Sequence, residues 1–228
     1  MIFYLSTVFT RFLHPFFSCR IEAFHVQSKI KEKQKEDLSM QKKGHLLVAS
    51  TLKPFFPKYH FWLSLGSICP DLLFHTFIKG HTYPAAWDMT VLRIGHLREN
   101  GRLNRRSLFM LGYILHYVED FFTLPHNPVY RGTLLGHPLY EKRQYAFFKA
   151  TVPALPADSA VPDLIEELKI LHDQYLAETP GLVCDRAYIF RAAACTARYF
   201  AAEFAANEIS ARLTPNPVVT AFLALLNS

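Results

Sequence analysis

The sequence predicts an all-α fold, a single-domain helical bundle. After residue 40, apolar residues recur at three- and four-residue spacing, and Pro and Gly punctuate these stretches at helical lengths. No strand-like alternation of any length and no internal repeat is present. Half of the 228 residues are hydrophobic and 19% are charged, a balance that supports a large apolar core and excludes a disordered chain.

The chain changes character near residue 40. Residues 1–39 read as an N-terminal extension that does not belong to the fold: an apolar run from Met1 to Cys19, then a polar run from Gln27 to Ser39. The apolar run is broken by Arg11, His14 and Pro15 and is too short to span a bilayer. No charged region precedes it and no small-residue cleavage site follows, so it makes a poor secretory signal; the expectation is a cytoplasmic protein. The domain is expected over residues 40–228, with Met40 as the working start.

Within the domain, Leu46, Leu47, Ala49, Ser50 and Leu52 begin a first helix, ended by Pro54 and Pro57. Trp62, Leu63, Leu65 and Ile68 form a short second element, stopped by Pro70. A third helix runs from Ala85 to Asn100, with Gly101 as its terminator. The strongest helix is Leu103 to Phe122, in which Leu108, Leu111, Leu115 and Val118 recur on one face. A loop with Pro125 and Pro128 follows, then a helix from His137 to Lys149 and a linker from Pro153 to Pro162. Asp163–Glu178, Asp185–Arg212 and Pro217–Leu226 complete the set. The Ala-rich stretch from Ala192 to Ala206 suits close helix packing.

The net charge of +6 is compatible with an anionic substrate and does not require one. The four cysteines, Cys19, Cys69, Cys184 and Cys195, are far apart and form no CxxC pair, which argues against a disulfide framework and a thiolate zinc site. No Gly-rich phosphate loop or nucleophile elbow appears.

Eleven histidines are the more telling count. His116 and Asp120 lie four apart in an apolar helix and share one face. Burying a carboxylate there needs a compensating partner, either a cation or a His–Asp hydrogen bond. His126 follows in the turn, where it can fold back towards that face. His137 and Glu141 form a second pair four apart. Upstream stand Asp71 after Pro70, then His75 and His81, with His45 at the start of the first helix. Eight nitrogen and oxygen ligands without thiolate suit zinc and exceed what one tetrahedral ion takes, so two or three Zn2+ ions are expected, with Asp120 able to bridge two.

The order Gly-His, Pro-Asp, Lys-x-His, His-x3-Asp-x5-His and His-x3-Glu resembles the zinc-dependent phospholipase C family over residues 40–150. It is similar also to the zinc-dependent single-strand nucleases that share that fold, whose closing motif is His-x3-Asp. The resemblance implies one zinc on Asp71, His81, His116 and Asp120, and a second on His126, His137 and Glu141. It implies a third on His45 and Asp120 with the amino-terminal nitrogen of the chain, here that of Met40, five residues before His45. His81 is preferred to His75 because Lys79 and Gly80 precede it. The chain departs from the family in lacking a Trp at that start. It also carries Leu72 where choline-lipid-cleaving members have an aromatic residue after the Asp, which argues against choline specificity.

The reaction so implied is hydrolysis of a phosphodiester by a zinc-bound hydroxide, with Asp71 as catalytic proton acceptor. The substrate class that the resemblance favours is a glycerophospholipid, with peripheral membrane contact as the expected mode of access. Single-stranded nucleic acid is the enzymatic alternative. A zinc-stabilised bundle that binds a membrane or protein partner is the non-enzymatic one. Arg93, Arg98, Arg102, Arg105 and Arg106 read as a solvated face, against a phosphate grip. Phe74, Phe77, Tyr83 and Trp87 read as core, against a substrate wall, and Tyr117 and Glu119 are expected to point away from the ligands.

Overall fold

Every residue from Leu111 to Phe121 is buried, an arrangement open only to a helix enclosed on all sides. The computed structural model describes residues 42–72, 80–133, 136–155 and 161–213. Among these residues it is all-α: α1 (42–51), α2 (His60–Ile68), α3 (Tyr83–Asn100), α4 (Arg105–Phe121), α5 (Gly136–Ala150), α6 (Leu164–Ala177) and α7 (Leu182–Leu213), with no strand. Short 3-10 turns at Pro70–Leu72 and Leu124–His126 follow α2 and α4. The chain divides after Met40, and only the unit Gln41–Ser228 contributes described residues. The expected start at Met40 and the expected helix Pro217–Leu226 lie outside them.

The enclosed α4 is the axis of the bundle, packed by α2, α3 and α7. Its N-terminus is capped by the Asn104 side chain, which accepts from the Ser107 N–H at 3.0 Å. Asp163 caps α6 in the same way through the Ile165 and Glu166 N–H groups. The first helix starts earlier than its apolar pattern suggests, so that Gly44 and His45 lie inside it. The third stops at Gly101 as expected, although that residue caps in an extended conformation, φ −74° and ψ 142°.

The crossing of α2 on α4 decides where the site forms. At Gly66 a Cβ would collide with the Phe109 carbonyl oxygen, and at Gly112 with that of Leu63. Backbone therefore lies on backbone, and this closeness lets the Ser67 carbonyl accept from His116 Nδ1 at 2.9 Å. Gly112→Ala is expected to force the helices apart and cost about 3 kcal/mol, the upper part of the range for overpacking. Urea unfolding curves of the two proteins measure it.

No helix among the described residues is long and apolar enough to cross a membrane. The arginines divide as a solvated face would. Arg98, Arg102, Arg105 and Arg106 are exposed, and Arg93 alone folds inward, over the Tyr113 ring at 4.6 Å. Tyr83 and Trp87 pack on Phe121, and Tyr83 stacks on His172 at 3.6 Å. Phe74 and Phe77 lie outside the described residues.

Candidate metal centre

Six segments deliver the eight expected ligands to one place: α1 brings His45, the turn after α2 Asp71, the strand-less entry to α3 His81. From α4 come His116 and Asp120, from the second turn His126, and from α5 His137 and Glu141. Three groups result, whose ligand atoms lie within 4.8 Å of one another: His45, His116 and Asp120; Asp71, His81 and His116; His126, His137 and Glu141. His75 lies outside the described residues.

Zinc holds nitrogen and oxygen ligands at about 2.0–2.2 Å, which puts the corners of its tetrahedron about 3.3–3.5 Å apart. In the first set, His81 Nδ1 and His116 Nε2 are 3.2 Å apart. Asp120 Oδ2 lies 3.2 Å from His81 and 3.4 Å from His116. Asp71 Oδ1 lies 3.9 and 3.7 Å from the same two nitrogens. Three of these edges are close to the values a zinc ion requires, and the two to Asp71 are a few tenths of an ångström longer. In the second set, His126 and His137 present Nε2 atoms 3.2 Å apart, with Glu141 Oε1 at 3.2 and 2.8 Å from them. Three ligands on that set leave a fourth corner to a small molecule.

Asp120 joins the sets. Its Oδ2 faces His81 and His116, while Oδ1 faces His126 at 3.7 Å and His45 Nε2 at 3.6 Å. Burial would raise its pKa, but the surrounding imidazoles, His126 first among them, and the hydrogen bond from His81 hold it well below the usual carboxylate range. Burial works against Glu141 also, and hydrogen bonds from His126 and His137 outweigh it, to about 2. Burial, with the neighbouring His45 and His81 adding to it, depresses His116 well below an ordinary imidazole, which leaves its nitrogen free of a proton for a cation. Asp71 Oδ2 is buried and makes no hydrogen bond. Nitrogens 3.2 Å apart and an orphaned carboxylate oxygen are the signs of a cluster arranged around cations, so the donor set fits zinc.

The expectation that Tyr117 and Glu119 point away from the ligands is overturned. The Tyr117 ring lies 5.4 Å from that of His81. Glu119, 3% exposed, accepts from His45 Nδ1 at 2.7 Å. The signal was present in the sequence: a charged residue three after His116 falls on much the same helical face as Asp120, four after it.

Two further buried groups brace the second set. Asp185, on α7, accepts from the Tyr140, Tyr175 and Gln144 side chains at 2.6, 2.8 and 2.9 Å and from the Leu124 N–H at 3.3 Å. It ties α5, which carries His137 and Glu141, to the turn that carries His126. His172 Nε2 donates to Asn127 Oδ1 at 2.8 Å, and the Asn127 amide donates to the Phe121 and Thr123 carbonyls, fixing the same turn. Burial lowers the His172 pKa to about 4 from an ordinary 6.5. The folded protein therefore binds fewer protons than the unfolded chain between pH 6.5 and 4, and stability falls as pH is lowered through that window. His172→Gln should lose stability less steeply there, as urea midpoints measured across the window will show.

A cavity of about 530 Å³ opens over the ligands. Its other walls are Gly80, Thr82, Pro125, Tyr130, Gly132 and Thr133. Tyr83 and Trp87 are not among its described walls.

Residues 31–182 match the family model for zinc-dependent phospholipase C. The match covers more than half of the chain and runs past the 40–150 resemblance on both sides. No curated protein and no solved structure matches the chain.

Proposed function

The chain belongs to the zinc-dependent phospholipase C family, and we propose that it hydrolyses the phosphodiester of glycerophospholipids on the glycerol side of the phosphate. The observation that carries this reading is the pair of ligand sets joined by Asp120 beneath one open cavity. Bound zinc supplies Lewis acidity there: it lowers the pKa of water and neutralises charge on phosphate oxygens.

The chain's own residues do the rest. Asp71, His81, His116 and Asp120 form a closed set of four. His126, His137 and Glu141 leave a corner open towards the cavity, which admits a phosphate oxygen or water. Asp71 Oδ2, buried and without a hydrogen bond, is the acceptor placed to take a proton from the attacking water. Leu72 follows Asp71 and is 55% exposed, so no aromatic face is offered there to a quaternary ammonium. Headgroups other than choline are the favoured substrates.

The test is hydrolysis of mixed micelles of phosphatidylethanolamine, phosphatidylglycerol or phosphatidylcholine, with single-stranded DNA in parallel, by protein purified without chelator. Diacylglycerol should accumulate, and in 18O-labelled water the label should enter the phosphorylated headgroup. Cleavage of DNA without diacylglycerol would assign the chain to nuclease chemistry. Zinc binding with neither product would make it a structural zinc protein.

A further inference from the structure

Glu119 is the one carboxylate of the cluster that is not among the ligands of either complete set. It sits on α4 between residues that are all buried, and it is itself 3% exposed. Its Oε2 accepts from His45 Nδ1 at 2.7 Å across 74 residues of sequence, while its Oε1 is buried and makes no hydrogen bond. A carboxylate placed in a helix interior is costly unless a cationic or strongly polarised partner compensates it. Among the described residues, the side chain it is bonded to is His45.

The other face of that imidazole is equally specific. His45 Nε2 looks at Asp120 Oδ1 at 3.6 Å, and its ring lies 4.2 Å from that of His116. His45 is thus gripped at Nδ1 and aimed at Nε2. We propose that Glu119 is a positioning residue for a metal ion held by His45 and Asp120. By accepting a hydrogen bond from Nδ1–H it fixes the tautomer that leaves Nε2 bare, and its negative charge makes that nitrogen a better donor. Histidine ligands are commonly held through their second nitrogen by a carboxylate, and loss of such a partner costs about 10–100-fold in metal affinity.

The inference rests on the zinc reading of the centre and adds a role that the eight ligands do not include. It also accounts for the order of residues on α4. His116 and Asp120 face the ions directly, and Glu119, one position before Asp120, turns just far enough to reach past them to α1.

The test is a zinc titration against a competing chromophoric chelator, on full-length parent, Glu119→Gln, His45→Ala and the double variant, each checked for native helicity by circular dichroism. Gln keeps an oxygen for the Nδ1 proton and loses only the charge. The weakest-held ion of the parent should bind about tenfold more weakly in Glu119→Gln, with the tighter ions unchanged. His45→Ala should lose that ion, and adding Glu119→Gln to it should change nothing further. Equal affinities in parent and Glu119→Gln would overturn the proposal, as would an unchanged ion count in His45→Ala. So would a Glu119→Gln effect that persists at full size without His45. A parent that binds no zinc would overturn the zinc reading as well, which separates the two failures. A second readout needs no variant: 15N spectra of the zinc-loaded parent should show His45 protonated at Nδ1 and metal-shifted at Nε2. The reverse assignment contradicts the proposal even if Glu119→Gln fails to fold.

Discussion

Asp120→Asn is expected to abolish hydrolysis, with a loss of at least about a thousandfold in kcat/KM, roughly 4 kcal/mol of transition-state stabilisation. The size follows from the geometry. Asp120 faces His81 and His116 through one oxygen and His126 and His45 through the other. An amide keeps the volume and one carbonyl oxygen, but it places an NH2 group against imidazole nitrogens or an ion and removes the negative charge. Both ligand sets are then disturbed at once, so zinc per chain should fall together with activity. A variant that keeps full zinc content and full activity would show that the two sets are not joined through this residue. Peripheral changes such as Arg102→Ala, on the exposed side of the α3–α4 turn, should leave both quantities unchanged.

Removal of zinc is expected to have the second largest effect, on stability. Nine buried or half-buried side chains, five imidazoles and four carboxylates, are gathered at this centre. Each ion held at a thousandfold excess over its dissociation constant contributes about 4 kcal/mol to the folded state. For a domain of this size that corresponds to about 8–16 °C in Tm per ion. Dialysis against a strong chelator should therefore lower Tm by about 10 °C or more, and added Zn2+ should restore it while Mg2+ should not. The same Tm with and without chelator would mean that the cluster is held by its own hydrogen bonds.

The features that the sequence made legible are those with a local signature. The His-x3-Asp and His-x3-Glu pairs could be recognised because four-residue spacing puts two side chains on one helical face, whatever the rest of the fold does. Helix existence followed from periodicity, and the ends at Asn100 and Phe121 fell within a residue or two of the expected ones. What stayed hidden depends on contacts between distant segments. The Glu119–His45 bond joins residues 74 apart, and the Asp185 network joins α7 to α5. The start of α1 was not legible because Lys42, Lys43 and Gly44, which the helix includes, carry no apolar pattern. Glu119 and Tyr117 were misplaced for a related reason. An amphipathic reading assigns polar positions to solvent, whereas α4 has no solvent side over its C-terminal half. Gly66 and Gly112 gave no signal singly; only the helix crossing shows that both are needed for backbone contact.

Whether zinc ions lie among the eight named side chains is tested most directly by anomalous scattering on either side of the zinc absorption edge, from crystals of protein purified without chelator. Two or three zinc peaks are expected. One lies about 2.0–2.2 Å from Asp71, His81, His116 and Asp120, and one at the same distances from His126, His137 and Glu141. Any third lies against His45 and Asp120. A map with no zinc peak within reach of Asp120, or with His116 and His137 far apart in the bundle, would contradict this expectation.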